Sequence, residues 1–411
     1  PHPPTPVFES AWTSRHAHAT VGLTRQRWQR QEEVSKEMRE DMGMALQVVV
    51  AGGGIIGAAV TYYLARAGAH VTLLEREQPG RKTSNNSFAW VNAFSRTTRP
   101  YYDFARRSVE LYRQLPDELG LAVELHWNGG IHWVDAPAAA EALRARVQEL
   151  QSWGHPIELI TPEELSAREP RVRARPLAAC YTPFDGATHP PSVIRALLQR
   201  AQDLGAEVRA DTSLVGVEVS QGRVTGVRTP TDRLAADVVV NAAGADAAAV
   251  GAMAGVKIPM FPKPGTLVLT IPQPPLIRSV IYTPTLHLRQ QADGRILLGE
   301  SWTMDTEDTD LSLVRGERLL ARAAEFLPDL ARAHVETMKL GVRPMPQDER
   351  PIVGPVPGVA GLYVTVTHSG VTLAPLVGQL AAQEITSGQP SPLLAEYRIE
   401  RFGVLAAASQ P

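Results

Sequence analysis

Gly52, Gly54 and Gly57, spaced G-x-G-x-x-G, stand between an apolar run at residues 48–50 and a helical pattern that ends at Gly68. A second apolar run, residues 71–74, ends on Glu75. This spacing suits the binding of a pyrophosphate. Gly52 allows a tight bend, Gly54 lets the backbone approach the phosphates, and Gly57 lets the helix lie close on the strand. Ile55 and Ile56 open that helix, whose first N–H groups are unpaired and carry partial positive charge. Glu75, at the tip of the second strand, is placed to accept hydrogen bonds from the hydroxyl pair of a ribose. A lone G-x-G-x-x-G recurs in ordinary turns. Here strand, turn, helix, strand and terminal acid fall in register, which points to a dinucleotide. The motif does not separate FAD from NAD.

The elements that must hold this turn belong to a chain of 411 residues, long enough for two domains with ample core. Net charge is −2, so no bulk field favours nucleic acid or an anionic membrane. The 41 basic residues are 36 Arg and 5 Lys, scattered along the chain. Cys180 is the only cysteine, which excludes an internal disulfide and a cysteine-cluster metal site. No metal is expected, and a reducing cytoplasm is the simplest setting. No apolar stretch reaches transmembrane length. Nothing in the sequence sets the oligomeric state.

The periodicity predicts an interleaved α/β chain. Residues 1–43 read as an N-terminal extension, proline-rich at first and then charged and helical over residues 24–41. Helices are expected at 101–114, 137–153, 190–204, 316–326 and 374–386. Residues 126–134 read as one strand around a glycine pair, and 281–288 as another strand. Two β-rich runs between 207 and 227 are joined by Gln221-Gly222, a hairpin signal. A buried strand at 238–240 ends in the small turn Asn241-Ala242-Ala243-Gly244.

Five landmarks recur in fixed order. They are the glycine turn with Glu75-Arg76; Tyr181-Thr182-Pro183-Phe184-Asp185-Gly186; Val240-Asn241-Ala242-Ala243-Gly244; Gly341-Val342-Arg343-Pro344 followed by Arg350-Pro351-Ile352-Val353-Gly354; and Gly361-Leu362-Tyr363 running into His368-Ser369-Gly370. In these the chain resembles the D-amino-acid oxidase family of flavoproteins, which includes glycine oxidase and the sarcosine oxidases. The resemblance covers about residues 46–396. It implies a Rossmann-like FAD-binding domain interleaved with an α+β substrate domain on a mixed sheet. The expected segments are 44–118, 185–262 and 340–396 for FAD, 119–184 and 263–339 for substrate, and 397–411 as a tail.

The resemblance also implies residue roles. Gly52, Gly54, Ile55, Ile56, Gly57, Glu75 and Arg76 match the ADP-binding residues. Ser84, Asn85, Asn86 and Ser87 match the loop beside the pyrophosphate and flavin. Val215 offers a backbone group to the adenine, and Ala243 and Gly244 pass close to the phosphates. His368, Ser369, Gly370, Val371 and Thr372 open a helix facing the flavin N1/O2 edge, where negative charge gathers on reduction. Arg343 matches the arginine that grips a substrate carboxylate in glycine oxidase. His287 falls where glycine oxidase has an active-site tyrosine. Trp90, Trp133, Tyr282 and Trp302 are candidate pocket walls.

Leu297 stands where sarcosine oxidases carry a lysine thought to activate oxygen, a lysine that glycine oxidase lacks too. Neither linker residue of the covalent flavin types is present: no cysteine lies near Gly341, and Ser87 replaces a histidine. The expected cofactor is therefore non-covalent FAD. The expected reaction is oxidation of an amine α to a carboxylate by hydride transfer to flavin N5. Water then hydrolyses the imine, and oxygen reoxidises the flavin. Two alternatives stand beside it. One is a dehydrogenase with another acceptor, on an amine or a 2-hydroxy acid; the other is a flavin-binding subunit of a larger complex.

Overall fold

The computed structural model describes residues 45–301 and 309–403. The N-terminal extension with its expected helix, Trp302, and residues 404–411 of the tail lie outside the described residues.

Two large sheets dominate. The first has six strands in the order Ile352–Pro355, Leu362–Val366, Val238–Asn241, Gln47–Ala51, His70–Leu74, Glu207–Arg209. All neighbours are parallel except the first pair. Gln47–Ala51 is central, with Val50 opposite both Leu73 and Val240. Valines fill it because a central parallel strand is covered on both faces. The helices Ile55–Arg66 and Gly370–Ser387 pack tightly together beside this sheet. A Cβ on Gly378 would lie 2.8 Å from the Ala59 Cβ, so only glycine permits that approach.

The second sheet has eight strands in the order Val335–Pro346, Met260–Thr270, Ile296–Glu300, Leu286–Gln290, Val280–Tyr282, Gly130–Val134, Ala178–Thr182, Glu158–Ile160. It is antiparallel except where Val280–Tyr282 runs parallel to Gly130–Val134. The chain is thus a mixed α/β protein, as expected. Among the described residues, no helix is long and apolar enough to cross a membrane.

Several expected elements take their expected places: Pro137–Ser152, Pro190–Asp203 and Leu313–Ala324 are helices. The Gln221-Gly222 turn joins Gly216–Ser220 to Arg223–Arg228, and both turn residues have positive φ, as a tight hairpin requires. Two expected strands break in two. Residues 281–288 fold into a hairpin, because the Thr283 hydroxyl accepts the N–H groups of Thr285 and Leu286. Residues 126–134 divide at Gly129 (φ 80°) into Leu125–His126 and Gly130–Val134, which join different sheets.

Candidate active site

The glycine turn has the shape its residue types predict. Gly52 has φ 106°, and a Cβ there would lie 2.6 Å from the Ala242 carbonyl oxygen. A Cβ on Gly57 would lie 1.8 Å from the Gly52 carbonyl oxygen. Neither position tolerates a side chain without moving backbone. Ser84 Oγ accepts the N–H of Ile55, and a Cβ on Gly54 would lie 3.3 Å from that oxygen. Glu75 sits at the strand tip, where Oε2 accepts the Gly53 N–H at 2.7 Å and Oε1 the Glu77 N–H at 2.9 Å. Arg76 pairs with Asp246 at 2.6 Å, just beyond Ala243 and Gly244. Val215 stands at the margin of this group. Its side chain is exposed and its N–H donates to the Arg228 carbonyl at 2.8 Å.

A loop carries the chain from the turn to a cavity. Ser84 touches the helix start, while Asn86 and Ser87 line a cavity of about 770 Å³. Asn86 Nδ2 donates to the Leu340 carbonyl at 2.9 Å, and Lys339 Nζ to the Asn85 carbonyl at 3.3 Å. The loop is therefore fastened to the edge strand of the second sheet. Gly341 makes that contact possible, since a Cβ there would lie 2.5 Å from the Asn86 carbonyl oxygen.

The cavity lies between this loop, the second sheet and the start of Gly370–Ser387. Arg343, His287, Tyr282, Trp90, His368, Ser369, Val371 and Thr372 all line it. Glycines clear space for the two candidate catalytic side chains. A Cβ on Gly265 would lie 2.5 Å from Arg343 Nη2, and one on Gly299 would lie 2.9 Å from His287 Nε2. His287 meets Phe88 edge-on at 4.4 Å and stacks with Tyr282 at 5.9 Å. Trp90 donates its indole N–H to the buried Asp185 at 3.0 Å, which fixes the ring as a wall. The final helix contains Pro375, which leaves the Val371 carbonyl without its usual helical donor. The Tyr112 hydroxyl supplies that bond at 2.6 Å, so the helix start stays ordered.

Burial sets the electrostatics. His287 is pushed down to about 3 by burial and by the Arg343 guanidinium. His368 is pushed down to about 3 by burial, with Arg96 and Arg343 adding to it. His132 is pushed down to about 3 by burial alone. All three are neutral imidazoles at neutral pH. His287 Nδ1, His132 Nε2 and Ser87 Oγ are buried without a hydrogen-bond partner. Burial holds the Asp185 carboxyl well above the usual carboxylate range.

These features fit FAD. The side-chain-free cradle at Gly52 and Gly57 and the strand-tip carboxylate suit its ADP half. The unpartnered Ser87 hydroxyl and the helix start at Gly370 suit its ring half. Among the described residues, no group of His, Cys, Asp and Glu has the arrangement of a metal centre.

One expected wall is misplaced. Trp133 faces away from the cavity and meets Phe326 edge-on at 5.3 Å in the core of the second sheet. Strand side chains alternate, so its neighbour His132 faces the cavity instead. His132, tilted against Phe94 with ring centroids 3.9 Å apart, is a wall that the sequence did not mark. A polar residue interrupting the apolar run Ile131-His132-Trp133 was the available signal. Arg96 also lines the cavity unforeseen, and nothing in its local sequence sets it apart from the other arginines.

A family described as "FAD dependent oxidoreductase" matches residues 47–384. Glycine oxidase of Geobacillus kaustophilus is 30% identical over 365 residues, covering 86% of this chain and 96% of the relative. A crystal structure of glycine oxidase from Geobacillus kaustophilus superposes with a TM-score of 0.80 at 28% identity, covering 86% of this chain and 98% of that one. L-proline dehydrogenase from P. horikoshii superposes with a TM-score of 0.80 at 25% identity, covering 87% and 98%.

Proposed function

The chain belongs to the FAD-dependent oxidoreductase family, and on that premise we propose that it oxidises an amine α to a carboxylate, as in an amino acid or an N-alkyl amino acid. The observation that carries this reading is Arg343, whose guanidinium lies in the cavity over a floor cleared by Gly265. A guanidinium holds a carboxylate through two parallel hydrogen bonds, which fixes the substrate's orientation as well as its position. The resemblance to glycine oxidase supports the same role.

FAD, when bound, would supply the acceptor for the hydride, with its two electrons, that leaves the substrate Cα. Gly52, Gly54, Ile55, Ile56, Gly57, Glu75 and Arg76 hold its ADP half, with Val215, Ala243 and Gly244 at the margin. Ser84, Asn85, Asn86 and Ser87 flank the pyrophosphate. The N–H groups of His368–Thr372 offer partial positive charge to the ring. His287 is neutral, so it can accept a hydrogen bond from the substrate amine without repelling it. Trp90, Tyr282 and Phe88 exclude water from the reacting carbon. Oxygen is the proposed final acceptor.

A dehydrogenase is the second reading. Leu297, where sarcosine oxidases have a lysine, is buried among Leu267, Leu269 and Phe88 and offers no ammonium group to oxygen. The similarity to L-proline dehydrogenase supports it too. Anaerobic stopped-flow mixing with a panel of amino acids, followed by oxygen, separates these readings. Flavin bleaching with fast recovery means an oxidase, and bleaching with slow recovery a dehydrogenase. No bleaching by any amine or 2-hydroxy acid overturns both and leaves the flavin-binding subunit.

A further inference from the structure

Arg96 is 6% exposed and lines the same cavity as Arg343. Its surroundings are unusual for a buried cation. Its Nη1 donates to the adjacent Ser95 hydroxyl at 3.1 Å, and its guanidinium lies 4.9 Å from the Tyr101 ring centroid. Its Nε is buried with no partner. No ion pair among the described residues includes it. A buried charge without a counter-ion is costly, so such a group is retained where something else supplies the charge.

The cavity wall supplies none. Asp348 lines it but is bound twice by Arg401, and Arg350 also reaches it. Glu349 is exposed. Asp185, the acid whose titration responds to Arg96, is fully buried and held well above the usual carboxylate range. Its Oδ2 accepts the Trp90 indole N–H, and no ion pair among the described residues joins it to Arg96.

Arg96 is also held firmly. Asn92 Oδ1 accepts from the Ser95 hydroxyl at 3.0 Å, and Arg146 Nη2 donates to the carbonyls of both Phe94 and Arg96. The Asn92 N–H reaches the Thr372 hydroxyl, at the start of the final helix, at 3.4 Å. The guanidinium is therefore presented by a braced turn. Arg96, Arg343 and His368 line the same cavity, which places the two cations on one site.

Resting on the amino-acid reading above, we propose that Arg96 binds a second anionic group of the substrate, so that the enzyme prefers amino acids carrying two carboxylates. Arg343 takes the carboxylate beside the reacting carbon. Arg96 takes the other, and the aromatic wall of Trp90, Tyr282 and Phe94 encloses the carbons between them. Arg289, the other deeply buried arginine near the cavity, shows the contrast. Its Nη1 is buried without a partner as well, but its Nε and Nη2 donate to the carbonyls of Phe88 and Thr188 and it does not line this cavity, so its place is structural.

Two matched pairs test this, each replacing a methyl by a carboxymethyl group: alanine against aspartate, in both configurations, and sarcosine against iminodiacetate. The first places the second carboxylate on the side chain, and the other places it on nitrogen. Anaerobic flavin reduction in the wild-type holoenzyme should favour the dicarboxylate of at least one pair by about tenfold or more. Arg96→Met should remove about tenfold to a hundredfold of that member's efficiency and less than about threefold from its partner. Arg96→Lys should recover part of the loss. Absence of preference in both pairs overturns the proposal, even if the variant does not fold. Equal loss for both members overturns it too, as does loss of FAD in Arg96→Met, which would make Arg96 a cofactor ligand. If no amine reduces the flavin, the amino-acid reading falls first. Titration with succinate against butyrate, followed by the flavin absorption spectrum, then decides. Tighter succinate binding that is lost in Arg96→Met supports the anion site, and equal affinity for both ligands overturns it.

Discussion

The glycine turn and the cavity are built by opposite means. At the turn the working groups are backbone N–H groups, and the sequence contributes mostly by omitting side chains. Within thirty residues it completes strand, turn, helix and strand-tip acid. In the cavity the working groups are side chains from segments far apart in the chain: Trp90 and Arg96, His132, Tyr282 and His287, Arg343, and His368. The assembled fold, not their sequence neighbours, brings them into one wall. A backbone site should fail when its shape is disturbed. A side-chain site should fail when its charge is.

Arg343→Met tests the charge side most severely. The stem remains and the guanidinium goes, so a bound carboxylate loses its partner inside a closed cavity. Breaking a buried pair of this kind costs roughly 3–5 kcal/mol, or about 10²–10⁴ in the efficiency of flavin reduction. FAD content should be unchanged, and a matching amine without a carboxylate should lose little. Equal losses for both substrates would make Arg343 part of the fold or the cofactor site, and the contrast between the two regions would collapse.

Gly57→Ala tests the shape side. The added methyl falls 1.8 Å from the Gly52 carbonyl oxygen, so strand and helix must separate. Overpacking of this kind costs about 3 kcal/mol, and the protein should purify with little flavin and a lower melting temperature. Gly244→Ala is the control. Unlike Gly57, that glycine has positive φ, 58°, and no atom lies within 4 Å of an added Cβ. Its cost should be backbone strain alone, about 1–2 kcal/mol. Similar flavin loss in both variants would show that close approach at Gly57 is no more important to the cradle than backbone strain at Gly244.

The same division explains what the sequence could reveal. The turn was legible because its requirements are local: Gly52 and Gly57 are forced by neighbours within a few residues or one strand away. Gln221-Gly222 was legible for the same reason. The cavity was legible where the resemblance marked it, at Asn86, Ser87, His287, Arg343 and the start of Gly370–Ser387, and in two of the aromatic walls, Trp90 and Tyr282. Arg96 was not, since burial and the lack of a counter-ion are properties of the assembled wall. His132 and Trp133 were exchanged because their parity on the strand depends on where the break at Gly129 falls. Single strands over 126–134 and 281–288 failed alike, because a glycine at positive φ and a threonine hydroxyl turned the chain.

Glu75→Ala gives a smaller, mixed effect. The carboxylate is proposed to hold the ribose, yet it also accepts the Gly53 and Glu77 N–H groups. Charge-assisted bonds of this kind are worth about 1.5–3 kcal/mol, so FAD retention should weaken about tenfold or more. Acid precipitation of the wild type should leave the yellow colour in the supernatant, since no linking residue holds the cofactor. A yellow pellet would refute that. Unchanged flavin off-rate in Glu75→Ala would confine the residue to bracing the turn.

The smallest expected effect separates the regions by pH. His287 is held at about 3 in the fold, below its ordinary value of 6.5. Between those values the unfolded chain binds a proton that the folded chain refuses, so the group's contribution favours the fold fully above 6.5. That contribution is lost progressively as pH falls toward 3. At pH 5.5 the loss is about 1.4 kcal/mol for this one residue. His287→Gln removes the titration and keeps the site polar. Denaturant unfolding should therefore show the stability gap between wild type and variant shrinking by about 1.4 kcal/mol between pH 7.5 and 5.5. Gly57→Ala, which changes shape and no charge, should show a gap independent of pH over the same interval. If the His287 gap is also constant, the imidazole titrates as it does in the unfolded chain. The cavity around it would then be wet, and its walls could not exclude water from a reacting carbon.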